Sequence, residues 1–298
     1  MPEDRPWRGF KTVKTAESDL LIMGIPFDGA VSSARGAAEA PSRLRRLSVN
    51  TPPVSEEGLD LRRLVISDRG DATLNPEEGN YFNKVAAEAL GLFKTGKFSL
   101  FLGGDHSVTI PLGKAFTDCY KPKQVGMIHL DAHCDLMDSY QGNRWSHACP
   151  QRRFLEHDNV FSNNLALVGI RNYEVEEIEF LRKNPSITVI NSRQFYLRPH
   201  QDIQHQVIKA MQGLDAVYLS LDIDVLDPAY APGTGVPEAG GLTTREVIEF
   251  VRGIMLNLPV KAMDLVEVAP PLDHSDITSW SAIRIVYETF AALALSQE

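Results

Sequence analysis

Cysteine is scarce in this chain, and the three that occur, Cys119, Cys134 and Cys149, are too few and too irregularly spaced for a disulfide framework or a four-thiolate zinc site. They fit a reducing compartment. No apolar run approaches the roughly 18 residues of a membrane span. The stretch from Met1 to Thr15 mixes Pro, Asp, Arg, Trp and Lys, which argues against a secretory leader. A cytoplasmic protein with no membrane partner is expected. Basic residues are in the minority: 30 Lys and Arg against 39 Asp and Glu leave a net charge of −9, so no general affinity for nucleic-acid phosphates is expected. Internal repeats, low-complexity tracts and linkers are missing too. Gly233-Thr234-Gly235 is no dinucleotide fingerprint, because the third glycine is absent and Pro237 interrupts the helix start.

What is present is an alternation of strand-like and helix-like segments. Apolar runs at Asp19 to Ile25, Leu64 to Ser67, Phe98 to Leu102, Val125 to Leu130, Leu165 to Ile170, Ile187 to Ile190, Ala216 to Leu221 and Val260 to Val266 are mostly continuous, as expected of strands buried on both faces. Helix-competent stretches lie between most of them, including Pro41 to Leu47 and a segment from about Glu77 to Thr95. A terminal helix is expected over Ser275 to Ser296, with Ser275 as its N-cap. The pattern predicts a three-layer α/β/α fold with a mainly parallel central sheet, in one domain spanning 1–298.

Three clusters stand where such strands would emerge: Gly103-Gly104-Asp105-His106-Ser107, His129-Leu130-Asp131-Ala132-His133-Cys134-Asp135, and Ser220-Leu221-Asp222-Ile223-Asp224-Val225-Leu226-Asp227-Pro228. Ligands of open α/β sheets bind at that edge. In extended chain Asp131, His133 and Asp135 share a side, as do Asp222 and Asp224, and His106 joins them from the loop after the Phe98 run. Four carboxylates brought this close repel one another and resist burial, so a cationic centre is almost required. Mixed carboxylate and imidazole donors suit Mn²⁺, Zn²⁺, Fe²⁺, Co²⁺ or Ni²⁺. Six donors exceed the needs of one catalytic ion. Two ions roughly 3.5–4 Å apart explain the surplus and make hydrolysis the natural reaction class. Any one Asp-x-Asp or Asp-x-His alone is more often a turn or a cap; the combination carries the reading. His129 lies one pleat deeper and is expected to support a ligand rather than be one. Asp105 and Asp227 read as turn acids.

With these motifs in place, the sequence resembles the ureohydrolases, the family of arginase, agmatinase and related guanidino-compound hydrolases. The likeness runs from Gly24-Ile25-Pro26-Phe27-Asp28 to Val266-Glu267-Val268-Ala269-Pro270-Pro271 and on through Asp273-His274-Ser275-Asp276. It most resembles the agmatinase branch, through Asp227 to Glu238 and Gly240-Gly241-Leu242-Thr243. The resemblance implies two Mn²⁺ ions per subunit, one held by His106, Asp131, Asp135 and Asp222, the other by Asp131, His133, Asp222 and Asp224. It implies that Glu267 receives the guanidinium, that His147 shuttles protons, and that Asp135 moves a proton toward the leaving nitrogen. Ala148 departs from the His-Gly found after that histidine in many members. A small guanidino substrate and a homo-oligomer, trimer or hexamer, are implied as well.

Arginases carry an Asn two residues after the acid equivalent to Asp135, where this chain has Met137, so arginine is disfavoured. Agmatine ends in a bare ammonium that Asp138 or another acid would meet, giving putrescine and urea. Arg144, Arg152 and Arg153 leave room for a carboxylate-ended substrate such as 4-guanidinobutyrate. Arginine or formimidoylglutamate hydrolysis ranks below these, and a non-catalytic binding subunit is at odds with a complete ligand set. Ser33-Ala34-Arg35-Gly36 also departs from the family's usual form before the first helix.

Overall fold

A computed structural model describes residues 5–73 and 81–296. Nine strands form one sheet: β1 (Lys11–Thr12), β2 (Leu20–Gly24), β3 (Val65–Asp71), β4 (Phe98–Leu102), β5 (Val125–Leu130), β6 (Leu165–Ile170), β7 (Thr188–Asn191), β8 (Ala216–Asp222) and β9 (Val260–Val266). Their order is β1-β3-β2-β4-β9-β8-β5-β6-β7, and every pairing is parallel rather than mainly so. The helices are α1 (Ala40–Ser48), α2 (Tyr81–Phe93), α3 (Thr109–Tyr120), α4 (Pro150–Phe154), α5 (Val175–Lys183), α6 (Ser192–Leu197), α7 (His200–Met211), α8 (Thr244–Asn257) and α9 (Ile277–Ser296).

The period-2 alternation of strand side chains sorts each apolar run onto two faces. Leu20, Ile22, Leu100, Ile128, Leu130, Leu219 and Met263 pack on one side with Leu44 of α1, Val207 of α7, Ile254 of α8 and Phe290 of α9. Met23, Phe101, Met127, Leu167, Tyr218 and Ala262 pack on the other with Val85 of α2, Phe116 of α3 and Phe154 of α4. Two cores on two faces produce the three layers, and they explain why the strands read as unbroken hydrophobic runs. On the first face, Phe290 meets Trp7, Phe10 and Tyr287 at ring-centroid distances of 6.0, 5.9 and 6.0 Å.

One expectation needs correction, one reaches beyond the described residues, and one strand was not foreseen. Ser275 is not the cap of α9: it holds φ +54°, and Asp273 instead accepts from the Thr278 and Ser279 amides at 3.0 Å each. The expected helix from Glu77 is described only from Tyr81, and Glu77 to Asn80 lie outside the described residues. The two-residue β1 escaped notice, being too short and polar to form an apolar run.

For function the decisive feature is the strand order. The chain leaves β4, skips two positions to β5, and later fills the gap with β8 and β9. The carboxyl ends of β4, β9, β8 and β5 are thereby consecutive along one sheet edge.

Candidate metal centre and active site

Each of those four ends delivers one part of the site. After β4 the chain turns through Gly103 and Gly104 into a short 3₁₀ turn, His106 to Val108, which places the His106 ring over the neighbouring strand ends. Gly104 is required there, because a Cβ would overlap the Phe27 carbonyl oxygen. Asp105 is the turn acid expected: it accepts from Ser107 N at 3.0 Å and from Ala30 N at 2.8 Å, tying the entrance loop to the site. After β9, Glu267 adopts φ +61°, and after β5, Asp135 adopts φ +54°. Left-handed conformations are costly for residues with a Cβ and tend to persist where function holds them.

His106, Asp131, His133, Asp135, Asp222 and Asp224 come together. His106 Nδ1 lies 3.0 Å from Asp131 Oδ2, 3.2 Å from Asp135 Oδ2 and 3.1 Å from Asp222 Oδ2. His133 Nδ1 lies 3.3 Å from Asp131 Oδ1 and 3.1 Å from Asp224 Oδ2. The route to this convergence differs from the extended alternation expected. Residues after Leu130 leave the strand and bend, and Asp224 sits in a 3₁₀ turn, Ile223 to Val225, that Asp222 caps by accepting from Asp224 N at 2.8 Å. Asp224 in turn accepts from Ala132 N at 3.0 Å, fastening the β8 and β5 loops together.

His129 also falls within ligand reach of His106 and Asp131. Both its ring nitrogens already have protein partners, however: Gln151 Nε2 at 2.9 Å and the His133 carbonyl at 3.0 Å. Burial drives its pKa down to about 4, so the ring is neutral. It braces the His133 loop.

The electrostatics follow from crowding acids without water. Burial and Asp131 push Asp135 well above the usual carboxylate range; burial, Asp224 and Asp131 do the same to Asp222, and burial with Asp131 raises Asp224. Asp131 goes the opposite way: burial favours its neutral form, but the hydrogen bonds and charge of His106 and His133 outweigh it and hold the carboxylate ionised. Its Oδ2 is buried without a hydrogen-bond partner. An orphaned carboxylate oxygen, ringed by further oxygens and imidazole nitrogens, is what a divalent cation satisfies, so these residues fit a metal.

Glu267 and His147 face the same pocket. Glu267 Oε1 accepts from His106 N at 2.8 Å and lies 3.5 Å from His147 Nδ1. The Ser32 amide donates to His147 Nε2 at 3.1 Å, and the Ser32 hydroxyl is 2.9 Å from that nitrogen. Burial opposes charge on His147 but Glu267 outweighs it and raises its pKa. Ser32 thus serves either state, its amide donating to a neutral ring and its hydroxyl oxygen accepting from a protonated one.

Ser32, Met137, Tyr140, His147, Ala148, Asn172, Tyr173, Glu174, Glu177, Thr234 and Val236 complete the pocket wall, and among the described residues no Lys or Arg lines it. Asp138 does not line it either: it accepts from Arg153 at 2.6 Å. Arg144 and Arg153 engage Glu156 at 3.0 and 2.8 Å, and Arg152 stacks 4.0 Å over Phe180. Sequence reasoning missed Glu177, whose buried carboxylate accepts from Leu136 N at 2.8 Å and Glu174 N at 2.9 Å, joining the Asp135 loop to α5. It also missed Arg171, which donates to the carbonyls of Asp224, Glu238 and Leu226 at 2.6, 2.7 and 3.2 Å and holds the Asp224 turn. An acid three residues before Glu177 at the start of a helix was a capping signal, but nothing in it pointed to the site.

A parallel α/β sheet with a buried histidine and aspartate cation site at its carboxyl edge defines a metal-dependent enzyme. Comparison with known proteins makes the class specific. The arginase family model matches residues 18–291, and the chain belongs to the arginase family. It is 37% identical over 276 residues to an agmatinase of Bacillus anthracis, covering 91% of each chain. It is 34% identical to a mitochondrial guanidino acid hydrolase of Homo sapiens, covering 92% of this chain and 78% of that one. The solved structure of proclavaminate amidino hydrolase from Streptomyces clavuligerus superposes with a TM-score of 0.88 at 28% identity, covering 99% of this chain and 100% of the other.

Proposed function

We propose that this chain hydrolyses the guanidino group of agmatine to putrescine and urea. The observation that carries the choice among guanidino compounds is the pocket wall: apart from the histidines, its charged groups are acids, no Lys or Arg is found among the described residues that line it, and Glu174 is exposed. A terminal ammonium finds an acidic partner in Glu174, while a carboxylate tail would find no Lys or Arg among the described wall residues to pair with. The arginines that left room for a guanidino acid are committed to Asp138, Glu156 and Phe180.

His106, Asp131, Asp135 and Asp222 would hold one Mn²⁺, and Asp131, His133, Asp222 and Asp224 the other. Bound there, the ions would supply Lewis acidity that renders water nucleophilic near neutral pH. The chain's own residues do the rest. Glu267 accepts the planar guanidinium through the oxygen that His106 N leaves free, fixing the target carbon beside the cluster. Asp135, whose burial raises its proton affinity, takes the proton lost by the attacking water and passes it toward the departing nitrogen. His147, between Glu267 and Ser32, exchanges that nitrogen's proton with solvent. On the same reading the chain is one domain over 1–298, works in the cytoplasm and assembles as a trimer or hexamer, which light scattering measures.

Purified Mn²⁺-loaded protein incubated with agmatine, arginine, 4-guanidinobutyrate, guanidinopropionate and formimidoylglutamate, with urea or formamide quantified, ranks the substrates directly. Agmatine is expected to lead, and Glu174→Gln to raise its KM. No turnover of agmatine, or faster turnover of guanidinobutyrate, rejects the assignment.

A further inference from the structure

Asp264 is a fully buried carboxylate for which the proposed reaction has no use. It stands on β9 directly across from Ser220 of β8. Three hydroxyls donate to it: Thr109 Oγ1 at 2.7 Å, Tyr218 OH at 3.0 Å and Ser220 Oγ at 2.8 Å. Ser220 Oγ also lies 2.9 Å from His106 Nε2.

A serine hydroxyl has one proton. If Ser220 gives it to Asp264, its oxygen can only accept from His106, so the imidazole proton sits on Nε2 and the lone pair on Nδ1. Nδ1 is the nitrogen that faces Asp131, Asp135 and Asp222 at 3.0 to 3.2 Å. A lone pair aimed at three carboxylate oxygens is repulsive unless a cation lies among them. The opposite tautomer would turn the Ser220 proton toward His106 and strip a hydrogen bond from the buried Asp264 Oδ1.

We propose that Asp264, acting through the Ser220 hydroxyl, is a positioning residue that locks His106 in the Nε2–H tautomer and so presents Nδ1 as a metal ligand. The inference rests on the metal reading of His106. It extends that reading by placing control of one ion's affinity two hydrogen bonds away, inside the sheet, where carboxylates that orient ligating histidines commonly act.

The test strips metal from wild type, Ser220→Ala, Asp264→Asn, Tyr218→Phe and His106→Ala with chelator and titrates each with Mn²⁺. Free ion is followed by electron paramagnetic resonance, and a thermal melt of each stripped protein runs alongside. Ser220→Ala and Asp264→Asn are expected to weaken one ion about 10- to 100-fold and leave the other at its wild-type affinity. Tyr218→Phe removes a different hydroxyl from Asp264 without touching His106 and is expected to leave both ions unchanged. Wild-type affinities in Ser220→Ala overturn the proposal, as does an equal loss in Tyr218→Phe, which would mark a merely structural role. Should Asp264→Asn fail to fold, Ser220→Ala decides, since it removes a single oxygen atom. If His106→Ala binds both ions like wild type, it is the ligand assignment that falls.

Discussion

Replacing Glu267 by Gln isolates charge at almost constant shape. The His106 amide pins an oxygen at Oε1, 2.8 Å away, so the glutamine must keep its carbonyl there and turn its NH₂ toward the pocket. A guanidinium is all donors, and it then meets another donor where an ionised oxygen stood. Hydrogen bonds to a charged partner contribute roughly 1.5–3 kcal/mol each against about 1 kcal/mol for neutral ones. Losing the bonds to the free oxygen therefore removes about 3 kcal/mol, or roughly 10²-fold in kcat/KM. Steady-state urea release by Glu267→Gln, with metal content measured on the same preparation, is the assay. Metal content should match wild type, because the reading gives Glu267 no ligand role. A kcat/KM that stays near the wild-type value refutes the guanidinium assignment.

Three further outcomes are expected. Asp131→Ala, which removes the carboxylate between both histidines, should abolish metal loading in elemental analysis and cut urea release by ~10³-fold, with the circular dichroism spectrum retained; a normal metal content contradicts a bridging role. His129 has a folded pKa depressed to about 4 by burial, so between about pH 6.5 and 4 the unfolded chain binds the extra proton and stability falls as pH falls. That slope amounts to about 3 kcal/mol over the window, and urea unfolding of chelated protein at several pH values should show it flattened in His129→Asn; identical slopes reject it. Phe290→Ala, which empties the middle of the Trp7, Phe10 and Tyr287 cluster, should destabilise the fold by about 3–5 kcal/mol in urea titrations, and a loss below about 1 kcal/mol would show that the cluster relaxes into the gap.

The strands were legible because both faces of the sheet are covered, which makes each run continuously apolar and hard to mistake for a surface segment. His106, Asp131, His133, Asp135, Asp222 and Asp224 were legible because polar groups abruptly follow such runs. Ser220 and Asp264 hide for the converse reason: they lie inside strands, and only the register that pairs them across β8 and β9 shows that they touch. Ser32, from a distant loop, and Glu177, from the first turn of α5, reach the site only through the fold, for which no local spacing exists. The parity argument for Asp131 to Asp135 reached the right neighbours by an idealised path, since the chain bends where full extension was assumed. Asp138 illustrates the limit of reading a loop acid as a ligand, because charge alone does not reveal that Arg153 already holds it.

The insertion of β8 and β9 between β4 and β5 has a consequence for biogenesis. A ribosome that has released everything through β7 has released the strands of both sides of the seam but neither strand that fills it, with His106 after β4 on one side and Asp131 after β5 on the other. No strand joins the two sides until β8 and β9 emerge and fill the gap; before that only α3 and its connections link β4 to β5. Cation capture is therefore a late event on the nascent chain, and a truncation before β9 forfeits both the seam of the sheet and the chemistry that sits upon it.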